Sequence, residues 1–383
     1  MNKIFNPKII HAFWELLRCG LREETPDPVF FQHFDDKEWQ ELFSLVEKQT
    51  VTGVCFPAVQ KLPSISMPAR SLYLDWYKRT YQIIQHHQHL QQTYYKLREL
   101  FHSIHISPLI IKGITIARYY PDPSLRMTGD IDFFVPENFD KSVDYIASLG
   151  IPLIHSNAHD KFSFDSVSVE LHHSAINLPA KANTENTWKD IYPISAHDKD
   201  FVYETIDVNT TAVLLSVHPF KHLFSWGIGI RHLCDWMLFL EKEHANIDYP
   251  KVMSYLKKVR MERFISTFTA IAVHHLGLDK KIAQPWMPAY TQKAEKKLHN
   301  DMLFTGDIGN EIIDYGIEIH KSPFSMQVLS KKYVFYKKIL SRFIDLIPVA
   351  PYYARRKLLR NSYTIFNSLI KNEPLPIQGK KQQ

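Results

Sequence analysis

Two aspartates, Asp130 and Asp132, stand two residues apart in an otherwise apolar run that ends at Val135. A run this short and apolar is typical of a buried strand, and residues i and i+2 of a strand point to the same face. The two carboxylates should therefore project side by side from the edge of a hydrophobic sheet. Two anions held this close repel each other unless a cation lies between them. Mg²⁺, which prefers oxygen ligands and accompanies triphosphates, is the natural candidate.

The elements on either side of this run strengthen the metal-site hypothesis. Pro108–Gly113 is typical of a buried strand that ends at a glycine, and Ile114–Tyr120 of a short helix. A glycine at such a turn lets backbone N–H groups approach a phosphate, and a helix N-terminus favours negative charge. Val167–His172 alternates like a half-buried strand, and its acid, Glu170, can join the aspartates if the strands are neighbours. An isolated Asp-x-Asp is usually a solvated turn, but these neighbours favour metal binding.

Several short motifs occur in order along the chain: Lys112-Gly113, Arg126, Asp130-x-Asp132, Glu170-Leu171-His172 and Arg231-His232-Leu233-Cys234-Asp235. The first four resemble motifs of the uncharacterised nucleotidyltransferase family within the DNA polymerase β-like superfamily. The last is similar to the second, helical motif of that family. The resemblance extends over about Leu109 to Leu240.

The resemblance and the hydrophobic periodicity together predict an α+β protein. We expect a nucleotidyltransferase-like mixed β-sheet core flanked by N-terminal and C-terminal helical regions. The predicted boundaries place the N-terminal helical region at 1–102 and the core at 103–195. A C-terminal helical domain follows at 196–372, and residues 373–383, rich in proline, lysine and glutamine, form a disordered tail.

The resemblance also implies a reaction and a set of roles. The reaction is transfer of a nucleoside monophosphate from an NTP to an acceptor hydroxyl, assisted by Mg²⁺ or Mn²⁺. The metal ligands and catalytic groups would be Asp130, Asp132 and Glu170. The residues that contact the NTP would be Lys112, Gly113, Arg126 and Arg231. The acceptor, whether a small molecule, a protein or an RNA, stays open, as does the base of the NTP.

Two other classes of function remain as alternatives. The chain can be a catalytically silent module that binds nucleotide or metal, because Ile114 stands where the superfamily usually has serine or glycine at the phosphate turn. It can also be a helical scaffold recruited through a basic C-terminal helix. Lys331–Asn361 carries nine basic residues and one acid, and the first part of it, Lys331–Ile347, is predicted to be amphipathic.

Two further sets of polar residues have both a structural and a functional interpretation. Arg231 and Asp235 are four residues apart on a predicted helix and so share a face, which allows a surface ion pair. In the functional interpretation Arg231 reaches the triphosphate, or positions Asp235 near the site. Among the histidines of the core, a satisfied structural role is the more common one, and His172 is the one that we retain for contact with the metal ligands or the substrate.

The composition is ordinary for a soluble globular protein, with 383 residues of which 45% are hydrophobic and 22% charged. Three scattered cysteines argue against a disulfide framework or a cysteine zinc site. No signal peptide and no run of 18 apolar residues is evident. We therefore expect a cytoplasmic protein without stable membrane insertion, whose oligomeric state the sequence leaves open.

Overall fold

The computed structural model describes residues 6–135, 137–156, 159–176, 188–198, 201–224, 227–306, 337 and 340–359. The helices that precede the sheet are α1 (Pro7–Arg22), α2 (Asp36–Lys48), α3 (Thr52–Gln60) and α4 (Arg70–Ser103). As the sequence predicts, α2 opens at a cluster of acids, and Asp35 and Glu38 form a reciprocal capping box there. In α4 the spacing of Ile83, His87, Leu90, Tyr94, Leu97 and Phe101 predicts a helix with one buried face, and all six residues are buried.

Five strands in the described part of the chain form a mixed sheet in the order β1-β2-β5-β4-β3. They are β1 (Leu109–Ile111), β2 (Asp130–Phe134), β3 (Ile154–His155), β4 (Asp160–Phe164) and β5 (Val167–His172). Strand β2 runs parallel to β5, whereas the other neighbouring pairs are antiparallel. Two short helices, α5 (Gly113–Ala117) and α6 (Phe139–Ser148), follow β1 and β2 respectively. The predicted α+β class with a mixed core sheet is confirmed.

Alternation along β2 gives the sheet two chemically different faces. Ile131 and Phe133 point to an apolar face, where Phe133 packs against the rings of Tyr94 and Phe101 from α4. The opposite, polar face carries both aspartates of β2. Because β2 lies between β1 and β5, these carboxylates project from the middle of the sheet. The expectation that they project from its edge was wrong.

A second sheet of two strands does not appear in the sequence predictions. Its strands β6 (Pro193–Asp198) and β7 (Phe201–Ile206) pair antiparallel to each other. The sheet is fixed beside β1, because Thr205 Oγ1 donates a hydrogen bond of 2.7 Å to the carbonyl oxygen of Ile110. It therefore extends the core beyond the five main strands.

The chain after β7 is helical. Its elements are α7 (Val208–Leu223), α8 (Ile230–Glu243), α9 (Tyr249–Lys258), α10 (Glu262–Ile271), α11 (Lys280–Ala283) and α12 (Gln292–Thr305), and residues 340–345 and 351–359 are also helical. These helices share one apolar core with α1, α2 and α3. A polar contact also joins the N-terminal and C-terminal helices, because Arg22 of α1 pairs with Glu241 of α8 at 2.7 Å.

Three other expectations concern the chain outside the sheet. All three cysteines are free and buried. None of the described helices combines the length and apolar character that crossing a bilayer requires. Two predicted segments lie wholly or partly outside the described residues. They are the tail 373–383, and residues 331–336 and 338–339 of the predicted basic helix Lys331–Ile347.

Candidate functional site

Three carboxylates converge on the polar face of the sheet. The parallel register places Asp132 of β2 opposite Glu170 of β5, and Asp130 lies two residues earlier on the same face. Ligand oxygens of the three side chains lie within 4.8 Å of one another. They line a cavity of about 500 Å³ whose other walls come from the β1–α5 turn and from helices α7 and α8. The structure thus brings together the three acids that the sequence singles out.

Asp132 is buried and already has two partners. Its Oδ1 accepts hydrogen bonds of 2.7 Å from Lys112 Nζ and from His172 Nε2. Burial alone would raise the pKa of Asp132, but the charge of Lys112 and the hydrogen bond from His172 outweigh burial and hold this pKa well below its ordinary value. Asp132 is therefore an anion in the folded protein, with Lys112 as its counterion.

Asp130 is in the opposite situation. Within the described residues its carboxylate makes no hydrogen bond and no ion pair, although the side chain is half-buried. Burial and the negative charges of Asp132 and Glu170 raise the pKa of Asp130 to about 7. The charges of Lys112 and Arg231 compensate an anion at this position only in part, and a bound cation would relieve the remaining repulsion.

Glu170 is contacted by two histidines and, at longer range, by a lysine. Its Oε2 lies 3.4 Å from His172 Nε2, and its Oε1 lies 3.3 Å from His159 Nε2 and 3.8 Å from Lys161 Nζ. Burial raises the pKa of Glu170, but the hydrogen bond with His172 and the charge of His159 contribute to a net lowering. Glu170 is thus a carboxylate at neutral pH and remains able to accept a proton or bind a cation.

The turn between β1 and α5 holds two consecutive residues at positive φ. Lys112 has φ 60° and ψ −157°, and Gly113 has φ 43°. Non-glycine residues rarely adopt the conformation of Lys112, so the backbone is strained there, and the bond to Asp132 helps to hold it. A Cβ atom on Gly113 would lie 3.0 Å from Thr128 Cγ2. Substitution of Gly113 therefore disturbs packing as well as any approach to phosphate.

Arg126 and Asp235 form a buried, bidentate ion pair. Arg126 Nε and Nη2 donate to the two oxygens of Asp235 at 2.7 Å each, and Arg126 Nη1 donates to Thr128 Oγ1 at 2.8 Å. The hydroxyl of Tyr120 donates to the same Asp235 at 2.7 Å. Arg126 lines the cavity, but its guanidinium is engaged by protein groups. It links the segment before β2 to helix α8.

Arg231 shares a helix face with Asp235, but its guanidinium donates hydrogen bonds to two other residues. Its Nε donates to Thr50 Oγ1 at 3.0 Å, and its Nη1 donates to the carbonyl oxygen of Met127 at 3.2 Å. Arg231 lines the cavity near Asp130, and its charge lowers the pKa of that carboxyl against the larger effect of burial. The i, i+4 spacing therefore identified two residues of the cavity wall, but not the partner of Asp235.

Sequence reasoning missed three histidines and a lysine that line the same cavity as the carboxylates. His218 and His222 of α7 and His232 of α8 have ring centroids 4.6 to 5.7 Å apart, and all three line the cavity. Burial and the nearby charge of Lys112 hold the pKa of His218 well below its ordinary value. Lys221, also in the wall, has a pKa lowered by burial and by Lys112. The i, i+4 spacing of His218 and His222 was the available sequence signal.

The two aspartates of β2 should have opposite effects on the stability of the cation-free protein. The folded-state pKa of Asp130 lies above the ordinary value of about 3.9, so its ionisation destabilises the fold increasingly as pH rises from about 4 to 7. Asp130→Asn should therefore raise Tm at pH 8 and change it little at pH 4. Asp132→Asn should lower stability at pH 8 by about 1–3 kcal/mol, because it leaves buried Lys112 without its counterion.

Thermal unfolding in the presence of a chelator, at both pH values, measures this contrast. Asp165→Asn, in the exposed β4–β5 turn, is a matched control that alters an aspartate outside the cavity. Equal shifts for the two β2 variants would contradict the assignment of different electrostatic environments.

The fold and the site together define a class of protein. A mixed sheet carries an Asp-x-Asp pair on one strand and a third acid on the parallel neighbour, and these acids line a cavity together with basic residues. This arrangement is that of a nucleotidyltransferase-like domain.

Comparison with protein families gives the same class. A family model described as "Uncharacterised nucleotidyltransferase" matches residues 35–277. The match covers well over half of the 383 residues, and the chain belongs to this family. Nucleotidyl transfer is accordingly the general kind of reaction that the family match supports. No curated protein and no solved structure matches the chain.

Proposed function

We propose that the protein transfers a nucleoside monophosphate from an NTP to an acceptor hydroxyl, with a divalent cation held by Asp130, Asp132 and Glu170. One observation carries the proposal: the three acids converge within 4.8 Å on one face of the sheet, at the wall of a cavity of about 500 Å³. A cavity of this size lies within the range of about 300–1,000 Å³ that small-molecule sites occupy.

The donor set fits Mg²⁺ or Mn²⁺. All three groups are carboxylates, which hard divalent cations prefer, and Asp130 has no hydrogen-bonding or ionic partner in the described residues to neutralise it. Such a cation, when bound, would bring charge stabilisation to the oxygens of the triphosphate. Asp132 would have to share or exchange its contacts with Lys112 and His172.

The basic groups of the cavity supply the phosphate-binding side of the proposal. Lys112 Nζ lies at the carboxylates, whereas Lys221 and Arg231 line the wall formed by α7 and α8. In our proposal Lys112, whose Nζ lies 2.7 Å from Asp132, would supply positive charge to the triphosphate. Gly113 keeps the turn free of a side chain at the same place. Arg126 acts through Asp235, by fixing the cavity wall, and not by direct contact with phosphate.

The proposed transfer makes one bond to the α-phosphorus of the NTP and breaks another. The acceptor hydroxyl oxygen forms a bond to the α-phosphorus, and the bond from the α-phosphorus to the oxygen that bridges to the β-phosphorus breaks. Pyrophosphate leaves with the electrons of the broken bond, and the hydroxyl proton passes to Glu170. A carboxylate with a lowered pKa is in the correct state to accept that proton.

Two features favour a second candidate, a catalytically silent binder. Ile114 occupies the position after Gly113, so no side-chain hydroxyl is available there, and Lys112 is engaged by Asp132. Such a module would bind an NTP and a cation without breaking the α-phosphate bond.

Labelling separates the two candidates. The purified protein is incubated with each α-³²P-labelled NTP, Mg²⁺ and a cell extract, and we expect label on an acceptor together with release of unlabelled pyrophosphate. Asp165→Asn should label as the parent does. Binding of NTP without label on any extract component, at protein concentrations above the measured Kd, would instead support the silent binder.

A further inference from the structure

We propose that His159, Glu170 and His172 form a second cation site, with nitrogen and oxygen ligands, which takes Zn²⁺ in preference to Mg²⁺. This site adjoins the three-carboxylate site and shares Glu170 with it. The proposal does not depend on nucleotidyl transfer, because it concerns binding of the ion alone.

The strand pairing fixes the three side chains in position. His172 follows Glu170 by two residues on β5, so both point to the polar face of the sheet. His159 immediately precedes β4, whose first residue, Asp160, is paired with Leu171. His159 is thereby brought alongside His172, and the centroids of the two rings are 5.1 Å apart. Backbone pairing, and not only flexible side chains, thus sets the spacing of the candidate ligands.

The distances between Glu170 and the two histidines are closer to those between ligands of one ion than to those of strong hydrogen bonds. Each histidine Nε2 faces a different oxygen of Glu170, His159 at 3.3 Å and His172 at 3.4 Å. Charge-assisted N–H···O⁻ bonds are typically about 2.7–2.9 Å. Four ligands placed tetrahedrally about 2.1 Å from Zn²⁺ are separated by about 3.4 Å. One potential ligand atom from each residue lies within 4.8 Å of the others, which small side-chain rotations can close around an ion.

The ligand types select the ion. Imidazole nitrogen binds Zn²⁺ well, whereas Mg²⁺ favours oxygen ligands and retains its water. Two further groups lie beside the proposed site. Asp132 Oδ1, 2.7 Å from His172 Nε2, is positioned to act as a fourth ligand once His172 binds the ion instead of donating to it. Lys161 Nζ, 3.8 Å from Glu170 Oε1, is partly exposed and can withdraw into solvent.

The site is accessible and its consequence is specific. His159, Glu170 and His172 all line the same cavity as Asp130, so an ion can enter by the route available to substrate. Because Glu170 belongs to both ligand sets and Asp132 lies beside both, Zn²⁺ in the histidine site and Mg²⁺ in the carboxylate site would share at least one carboxylate. The cavity can therefore hold two different divalent cations side by side.

Metal titration tests the proposal on the full chain. The protein is stripped with chelator, and Zn²⁺ and Mg²⁺ affinities are measured separately by calorimetry, with bound metal counted by elemental analysis. We expect His159→Gln to weaken Zn²⁺ binding by at least about tenfold and to leave Mg²⁺ binding unchanged. Asp130→Asn should have the reverse selectivity. His89→Gln is the matched control, because His89 lies outside the cavity lining and its Nε2 contacts the carbonyl oxygen of Asp165 in the β4–β5 turn.

Circular dichroism confirms that each variant is folded, and Co²⁺ in place of Zn²⁺ provides a second readout. Nitrogen ligation of tetrahedral Co²⁺ gives intense visible absorption, which His159→Gln and His172→Asn should both abolish. Zn²⁺ affinity that is the same in folded His159→Gln as in the parent overturns the proposal. It is equally overturned if Asp130→Asn removes Zn²⁺ and Mg²⁺ binding together, because both ions would then occupy the carboxylate site.

Discussion

Glu170→Gln is expected to slow nucleotidyl transfer by about 10²- to 10⁴-fold, the usual cost of losing a general base, while the affinity for NTP changes little. Glutamine keeps the size of the side chain and one oxygen, but it cannot take the acceptor proton. A group whose main contribution is in the transition state lowers kcat far more than it alters ground-state binding. The rate of α-phosphate label incorporation and the calorimetric Kd for the same NTP measure the two effects separately.

The matched control for this prediction is Glu99→Gln. Glu99 is exposed on α4, pairs with the adjacent Arg98 and lies outside the cavity lining, so its loss should leave both the rate and the Kd as in the parent. If Glu170→Gln labels the acceptor at the parental rate, Glu170 has no part in the reaction. If rate and NTP affinity fall in equal proportion, its contribution is to ground-state binding, through the cation.

Asp235→Ala is expected to lower the free energy of unfolding by about 3–5 kcal/mol, which is the typical cost of removing one partner from a buried ion pair. Arg126 is 3% exposed and donates two hydrogen bonds of 2.7 Å to Asp235, and Tyr120 donates a third. Without Asp235, the guanidinium keeps its charge in a buried position without its counterion. The midpoint of denaturant unfolding and Tm both report the loss.

A double variant separates the cost of an unpaired charge from the value of the pair. Arg126→Met with Asp235→Leu removes both charges and keeps much of the volume, so it should be less destabilised than either single variant. Lys96→Ala breaks the exposed pair with Asp165 and should cost at most about 1 kcal/mol. A loss for Asp235→Ala no greater than that of Lys96→Ala would show that the buried pair contributes little.

The sequence was sufficient for those parts of the site that depend on local periodicity. The apolar run around Asp130 and the alternation around Glu170 predicted two strands, and both occur at β2 and β5. The same periodicity predicted the buried stripe of α4. Whether β2 and β5 are neighbours depends on contacts between distant segments, however, and the strand pattern alone did not supply their parallel register.

Two failures have identifiable physical causes. Helical spacing places Arg231 and Asp235 on one face, but a buried carboxylate requires close, bidentate donors, and Arg126, 109 residues away, provides them. The β6–β7 hairpin was missed because the connection after Asp198 reads Lys199-Asp200 and lacks the Asn-Gly or Asp-Gly pair that usually signals such a turn. The contact of His159 with Glu170 likewise depends on strand pairing.

The two faces of β2 also constrain the register in which it pairs. A slip of one residue in the pairing of β2 would turn Ile131 and Phe133 into the cavity and press Asp130 and Asp132 against α4. Such a slip would disrupt the apolar core and remove the carboxylates from the cavity together. The packing of Ile131 and Phe133 against α4 therefore helps to hold Asp130 and Asp132 in the register that the site requires.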